Sequence, residues 1–222
     1  MTTPANVYSD TISEFRAATE AAALYDMSNV GRLKATGDDT LDLLNRMSTN
    51  QVLNLEPGQG VSTILTTDRG RILDLIGVVN MGDYFLLLTS PGEQQTVIDW
   101  LDRYTIMEEL TVSDITGDTS MLPVFASTSP DKLEPVVGVQ LAQLTPYPTL
   151  ACTIAGHQAH VNNRPQGQLP SFDLMLSQDA VPNVWQHLIN SGIPTIGTAA
   201  YEAARVEHAI PVHGREMGDA YN

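Results

Sequence analysis

Residues 61–67 and 72–79 are two strand-sized runs on either side of an Asp68-Arg69-Gly70 turn, a pattern that predicts a hairpin. Along the second run Ile72, Asp74, Ile76 and Val78 share one face, while Leu73, Leu75 and Val79 share the other. Both faces are largely apolar, as expected of a strand inside a sheet. Asp74 is the exception, because a carboxylate moved out of water is costly unless it is hydrogen-bonded or paired. Residues 84–89 predict a further strand after a turn at 80–83, and residues 110–115 predict another.

Helical spacing is confined to a few windows. Residues 11–26 combine a Thr11–Glu14 capping box with an alanine-rich run, and Asp38 or Asp39 after the Gly37 turn caps a helix carrying Leu41, Leu44 and Met47. Ser90, Pro91 and Glu93 read as cap, first turn and capping-box partner of a helix that buries Val97, Trp100, Leu101 and Tyr104. Beyond residue 119 the texture repeats loosely. A strand at 121–126 precedes a short helix from Ser129-Pro130, and strands at 149–162 and 171–176 flank a Pro/Gly-rich connection. A helix from Asp179 stops at Gly192 and Pro194, and a last helix spans Thr198 to His208. Hairpins are as frequent as strand–helix alternation, so the class is α+β. A boundary near 116–122 divides the chain into residues 1–118 and 119–222.

A chain of 222 residues with 42% apolar content can bury a substantial core. The net charge of −15, with Lys34 and Lys132 the only lysines, excludes direct nucleic-acid binding as a main function. Apolar runs such as residues 84–88 are too short to cross a bilayer, and residues 1–15 lack the basic-then-apolar order of a secretory signal. A cytoplasmic location is therefore expected. The acidity itself suits solubility or a basic protein partner.

Chemistry-bearing residues are sparse. His157 and His160 lie on an expected hairpin without further ligands at metal spacing, His208 and His213 read as turn or surface histidines, and Cys152 reads as a small core residue, so no metal site is expected. Asp74 is either a structural partner or a functional acid. Glu207, on the last helix, is either solvent-facing, paired with Arg205, or functional.

The segment from Tyr25 to Gly60 resembles the opening of the glycine-cleavage T-protein superfamily through its S-x-x-G-R-[IL] phrase at Ser28–Leu33, its G-x-D turn at Gly37–Asp39 and its T-N-x-V segment at Thr49–Val52. Residues 66–79 resemble the strand-turn-strand that follows. Arg205, Glu207, Pro211, Gly214 and Glu216 match the later R-x-E-x-x-x-P-x-x-G-x-E element. The ordered matches run from about residue 24 to 217, nearer the folate-binding YgfZ-like branch than a true aminomethyltransferase. The transferase phrase G-G-x-x-D-D keeps only Asp74 of its two acids, with Leu73 and Leu75 beside it, and the G-Y-T-G-E-x-G element is poorly kept around Pro165, Gly167, Pro170, Phe172 and Asp173. The K-G-C-Y-x-G-Q signature and the C-terminal barrel expected after Glu216 are missing before Asn222.

The resemblance implies a GcvT/YgfZ-like fold of mixed antiparallel sheets with packed helices, and tetrahydrofolate or a one-carbon derivative as cofactor. It places Asp74 as the catalytic candidate facing a folate cavity between the halves. Glu207 would hydrogen-bond the pterin, with Asn50 and Arg205 as further binding residues. It implies one-carbon transfer or iron–sulfur protein maintenance, with a partner chain supplying the barrel. Two alternatives stand beside it: an assembly subunit that no longer binds folate, and a folate-dependent amine demethylase component.

Overall fold

Turn residues punctuate this chain about every ten positions, and the elements between them follow the apolar pattern except at their ends. The computed structural model describes residues 5–141, 148–165, 167–218 and 220. In chain order the elements are α1 (Thr11–Glu20), β1 (Ala23–Leu24), β2 (Gly31–Thr36), α2 (Thr40–Met47), β3 (Gly60–Thr66), β4 (Ile72–Asn80), β5 (Phe85–Thr89) and α3 (Gln94–Tyr104). They continue as β6 (Thr111–Asp114), β7 (Thr119–Phe125), α4 (Ser129–Val137), β8 (Thr149–Ile154), β9 (His157–Asn163), β10 (Ser171–Ser177), α5 (Val181–Asn190) and α6 (Thr198–Glu207).

Three ends differ from expectation, each for a stated reason. Helix α1 stops at Glu20 rather than continuing to residue 26, because Leu24 gives its N–H to the Pro194 carbonyl at 2.8 Å and Ala23 and Leu24 pair with Phe125 and Val124. Its N-cap is Asp10, whose carboxylate accepts the Ser13 N–H at 2.9 Å. Helix α3 begins after Glu93, not after Ser90. Ser90 instead opens a turn closed by the Glu93 N–H on its carbonyl at 3.1 Å. Asp39 stands at the N-cap of α2, but its carboxylate accepts the Glu109 N–H at 2.8 Å instead of one from its own helix.

The chain forms two compact units, one of Met1–Ser28 with Gly117–Ile210 and one of Asn29–Thr116 with Pro211–Asn222. In the first, an antiparallel sheet runs β1-β7-β10-β9-β8. One face, through Leu122, Val124, Phe172, Leu174 and Val161, forms a core with Leu133 and Val137 of α4 and Val184 and Leu188 of α5. In the second, an antiparallel sheet runs β3-β4-β5-β2-β6. Its core joins Leu33, Leu65, Ile76, Val78 and Leu87 to Leu43 and Leu44 of α2 and Val97 and Leu101 of α3. Two antiparallel sheets with helices packed on them make the fold α+β. No helix among the described residues is long and apolar enough to cross a membrane.

Candidate functional site

Alternation puts Asp74 on the helix-covered face of β4, beside Ile72 and Ile76 and opposite Leu65 of β3. It is 0% exposed. The fold tolerates the carboxylate because each oxygen accepts a backbone N–H: Oδ1 from Leu75 at 2.8 Å and Oδ2 from Ser90 at 2.9 Å. Burial pushes the carboxyl above the ordinary carboxylate range. Donation from Ser90 and Leu75 and the His213 imidazole pull the other way without cancelling it.

From Asp74 a continuous chain of contacts leads outward within the second unit. Asp74 holds Ser90, Ser90 closes the turn on Glu93, and Glu93 Oε1 lies 3.7 Å from Nδ1 of His213. Both Glu93 and His213 are partly exposed. The His213 loop is fixed in turn by a bridge to Met217 and by the Gly214 N–H on the Met217 carbonyl at 2.7 Å. The imidazole thus lies beside the partly exposed Glu93 carboxylate and within electrostatic reach of the buried Asp74.

Asn50, in the same unit, is exposed. Its N–H meets Thr63 Oγ1 at 2.9 Å and its side-chain nitrogen donates to the Ser62 carbonyl at 2.6 Å. Glu207 and Arg205 belong to the first unit. Glu207 ends α6 with its side chain exposed and makes no hydrogen bond or ion pair among the described residues. Arg205 is 3% exposed and pairs with Glu202 at 2.8 Å, not with Glu207, and it also donates to the Ile210 carbonyl at 3.2 Å. It therefore braces the end of the helix that carries Glu207. Among the described residues no group of three or more His, Cys, Asp and Glu side chains could hold a metal ion.

Sequence reasoning passed over His213 and a second buried carboxylate, Asp173. No spacing rule links His213 to Asp74, so only the fold reveals their electrostatic link. Asp173, between Phe172 and Leu174, carries the same signal as Asp74, a charge inside an apolar strand. It was legible by that argument. Asp173 is 0% exposed and one of its oxygens pairs with Arg164.

A fold of two helix-backed antiparallel sheets, with acids buried in both, has known counterparts. A family model for the GCVT N-terminal domain matches residues 3–222, and the chain belongs to that family. The aminomethyltransferase of Picosynechococcus is 24% identical over 208 residues, covering 93% of this chain and 57% of that protein. That of Symbiobacterium thermophilum is 27% identical over 228 residues, covering 97% and 60%. A putative chloroplastic transferase of Arabidopsis thaliana is 27% identical over 206 residues, covering 89% and 46%. The chain thus spans roughly half to three-fifths of the length of these curated relatives. Among solved structures, the glycine cleavage system aminomethyltransferase T of Bartonella henselae superposes with a TM-score of 0.82 at 17% identity, over 96% of this chain and 62% of that one. A chain of the heterotetrameric sarcosine oxidase of Corynebacterium sp. U-96 gives 0.58 at 13% identity, over 82% of this chain and 90% of that one.

Proposed function

We propose that this chain binds tetrahydrofolate or a one-carbon derivative of it, as a module of the aminomethyltransferase type. The family match across residues 3–222, with relatives named aminomethyltransferases, carries this reading. The residues present suit such a ligand. A pterin offers a coplanar ring N–H and amino group, and the exposed, uncommitted carboxylate of Glu207 can accept from both. Arg205 positions Glu207 by bracing the end of α6, and the exposed Asn50 retains a side-chain carbonyl for donors. Tetrahydrofolate, when bound, supplies the nitrogen chemistry on which a one-carbon unit is carried. Asp74 fixes the Ser90–Glu93 turn, and its buried carboxyl is the group assigned to proton handling.

Titration calorimetry with tetrahydrofolate tests the reading on wild type, Glu207→Ala and Asp74→Asn. Micromolar affinity, about −8 kcal/mol, falling at least tenfold in Glu207→Ala is the expected result. Asp74→Asn with intact affinity would assign Asp74 to proton handling rather than binding. No binding by well-folded wild type would overturn the reading.

A second reading is favoured by one observation, the superposition covering 90% of a chain from a heterotetrameric sarcosine oxidase. It makes this chain a component of a larger assembly, either a subunit without folate or part of a folate-dependent amine demethylase. A partner supplying the family's C-terminal domain belongs to this reading. Retained folding with no folate affinity, together with a stoichiometric complex on co-expression with such a partner, would select it.

A further inference from the structure

The two most exposed large apolar side chains among the described residues are neighbours. Ile106 is 83% exposed and Met107 92%, at the tip of the segment that joins α3 to β6. Single exposed apolar residues are normal on protein surfaces. This pair differs because its backbone is fixed from three sides. Glu108 Oε2 accepts the N–H of Ile106 at 2.9 Å and that of Met107 at 3.0 Å, while its Oε1 accepts from Arg46 of α2 at 2.8 Å. The Arg46 guanidinium and the backbone N–H groups hold the Glu108 carboxyl down to about 2, so it stays ionised at neutral pH. On the helix side, the Thr105 hydroxyl donates to the Leu101 carbonyl at 2.9 Å. On the strand side, Asp39 accepts the Glu109 N–H at 2.8 Å. A contact made on this tip would therefore order little further backbone.

The rim of the tip is acidic. Asp42, Asp102, Glu108 and Glu109 lie on the segment or on the helices that flank it, against Arg46 and Arg103. Both cations are engaged. Arg46 is bound by Asp42 at 3.0 Å and by Glu108, and Arg103 stacks over the Trp100 ring, 5.4 Å from its centroid. Asp102 and Glu109 are exposed. The chain carries −15 in total, so the tip stands in a negative field. A second copy would bring a like-charged rim against it, and an anionic lipid surface would be repelled in the same way.

We propose that the Ile106–Met107 tip is a docking anchor for a basic amphipathic helix of a partner protein. The inference is independent of the folate reading, which uses none of these residues. Such a helix carries both required features at once, an apolar stripe and cations along its margins. The stripe lies on Ile106 and Met107, and the cations face Asp102 and Glu109. Methionine suits the role because its unbranched thioether adapts to apolar surfaces of different shape. The acids steer the encounter and set its orientation, while the apolar pair supplies the anchor. An anchor of two side chains makes a weak, reversible contact rather than an obligate one.

The test uses the full chain, isotope-labelled at its methionine methyl groups, with the Met107 signal assigned from Met107→Leu. The probe is a synthetic Lys/Leu amphipathic helix, its Glu/Leu counterpart is the control, and affinity is read by fluorescence anisotropy. The Lys/Leu peptide should shift the Met107 signal and lose at least tenfold in affinity for the Ile106→Ser, Met107→Ser double variant. Asp102→Lys with Glu109→Lys should weaken it at least threefold, and added salt should weaken it for wild type. Both double variants leave the Glu108 contacts in place, so their melting temperatures should match that of wild type. Equal affinity for wild type and the serine variant overturns the proposal, because charge alone would then hold the peptide. Absence of binding, or equal binding of the Glu/Leu peptide, also overturns it. A Met107 signal that moves with protein concentration alone would assign the tip to a second copy and overturn it too.

Discussion

Asp74 shows how far a single residue can be read from its neighbours. Its position in an apolar strand announced a carboxylate that must be satisfied, and it is satisfied by the Leu75 and Ser90 N–H groups. Its connection through Glu93 to His213 could not be read, because contacts across the fold leave no local spacing. Asn offers only one oxygen to two N–H donors, so Asp74→Asn should cost about 1–3 kcal/mol. The folded-state pKa of Asp74 lies above its unfolded value near 3.8. Its titration therefore contributes stability fully present below that unfolded value and lost as pH rises through the folded one. The stability gap between wild type and Asp74→Asn should accordingly be widest in acid and narrow toward neutrality. Urea unfolding of both proteins across that range measures it, and a gap that widens with pH would contradict the assignment.

At the scale of elements, strands were the most legible feature, because turns such as Asp68-Arg69-Gly70 bracket apolar runs. Helix ends were less so, since tertiary partners displaced local capping at Ser90 and Asp39. Glu14 is the clearest case. Sequence reads it as the capping-box acid of α1, and it does reach back to the Tyr8 and Ser9 N–H groups at 2.6 and 2.5 Å. Its other oxygen accepts the Gly197 N–H at 2.8 Å, at the entrance to α6. Burial acts to raise the Glu14 carboxyl, but these N–H donors outweigh it and hold the group below its ordinary range. One side chain thus ties α1 to the start of the helix that ends at Glu207. Glu14→Ala should lower stability by about 2 kcal/mol, read as a shift of the urea midpoint followed by circular dichroism. Glu14→Gln, which keeps acceptors for some of the N–H groups, should lose less.

For the whole molecule, the sequence conveyed the class and the family but not how the chain is shared between its units. Nothing in residues 1–28 announces that β1 completes a sheet with β7, because a two-residue strand carries no periodicity of its own. The candidate site was legible to a similar degree. Glu207 and Asn50 emerge exposed, and Arg205 emerges as a brace. The exposed tip at Ile106 and Met107 needed the fold to be seen, since an apolar pair after a helix reads equally as core. Deleting residues 1–28 should uncover the outer edge of β7 and remove α1 from α6. The expected outcome is loss of cooperative melting and exposure of apolar surface to a hydrophobic dye. A truncated protein that melts as sharply as the full chain would show that the segment is dispensable.

The division of the chain also dictates the order in which a nascent polypeptide can assemble. Ala23 and Leu24 leave the ribosome about a hundred residues before Phe125 and Val124, the strand they must meet. The His213 loop, which belongs with residues 29–116, is synthesised after all of the first unit's strands. Each unit therefore waits on a segment made at the other's expense of time, and closing those long loops must precede the contacts that reward it. During synthesis residues 1–28 would stand unpaired until the edge of β7 emerges to meet them. That interval is when the chain is most exposed to misassembly, and it sets the point at which a chaperone has most to protect.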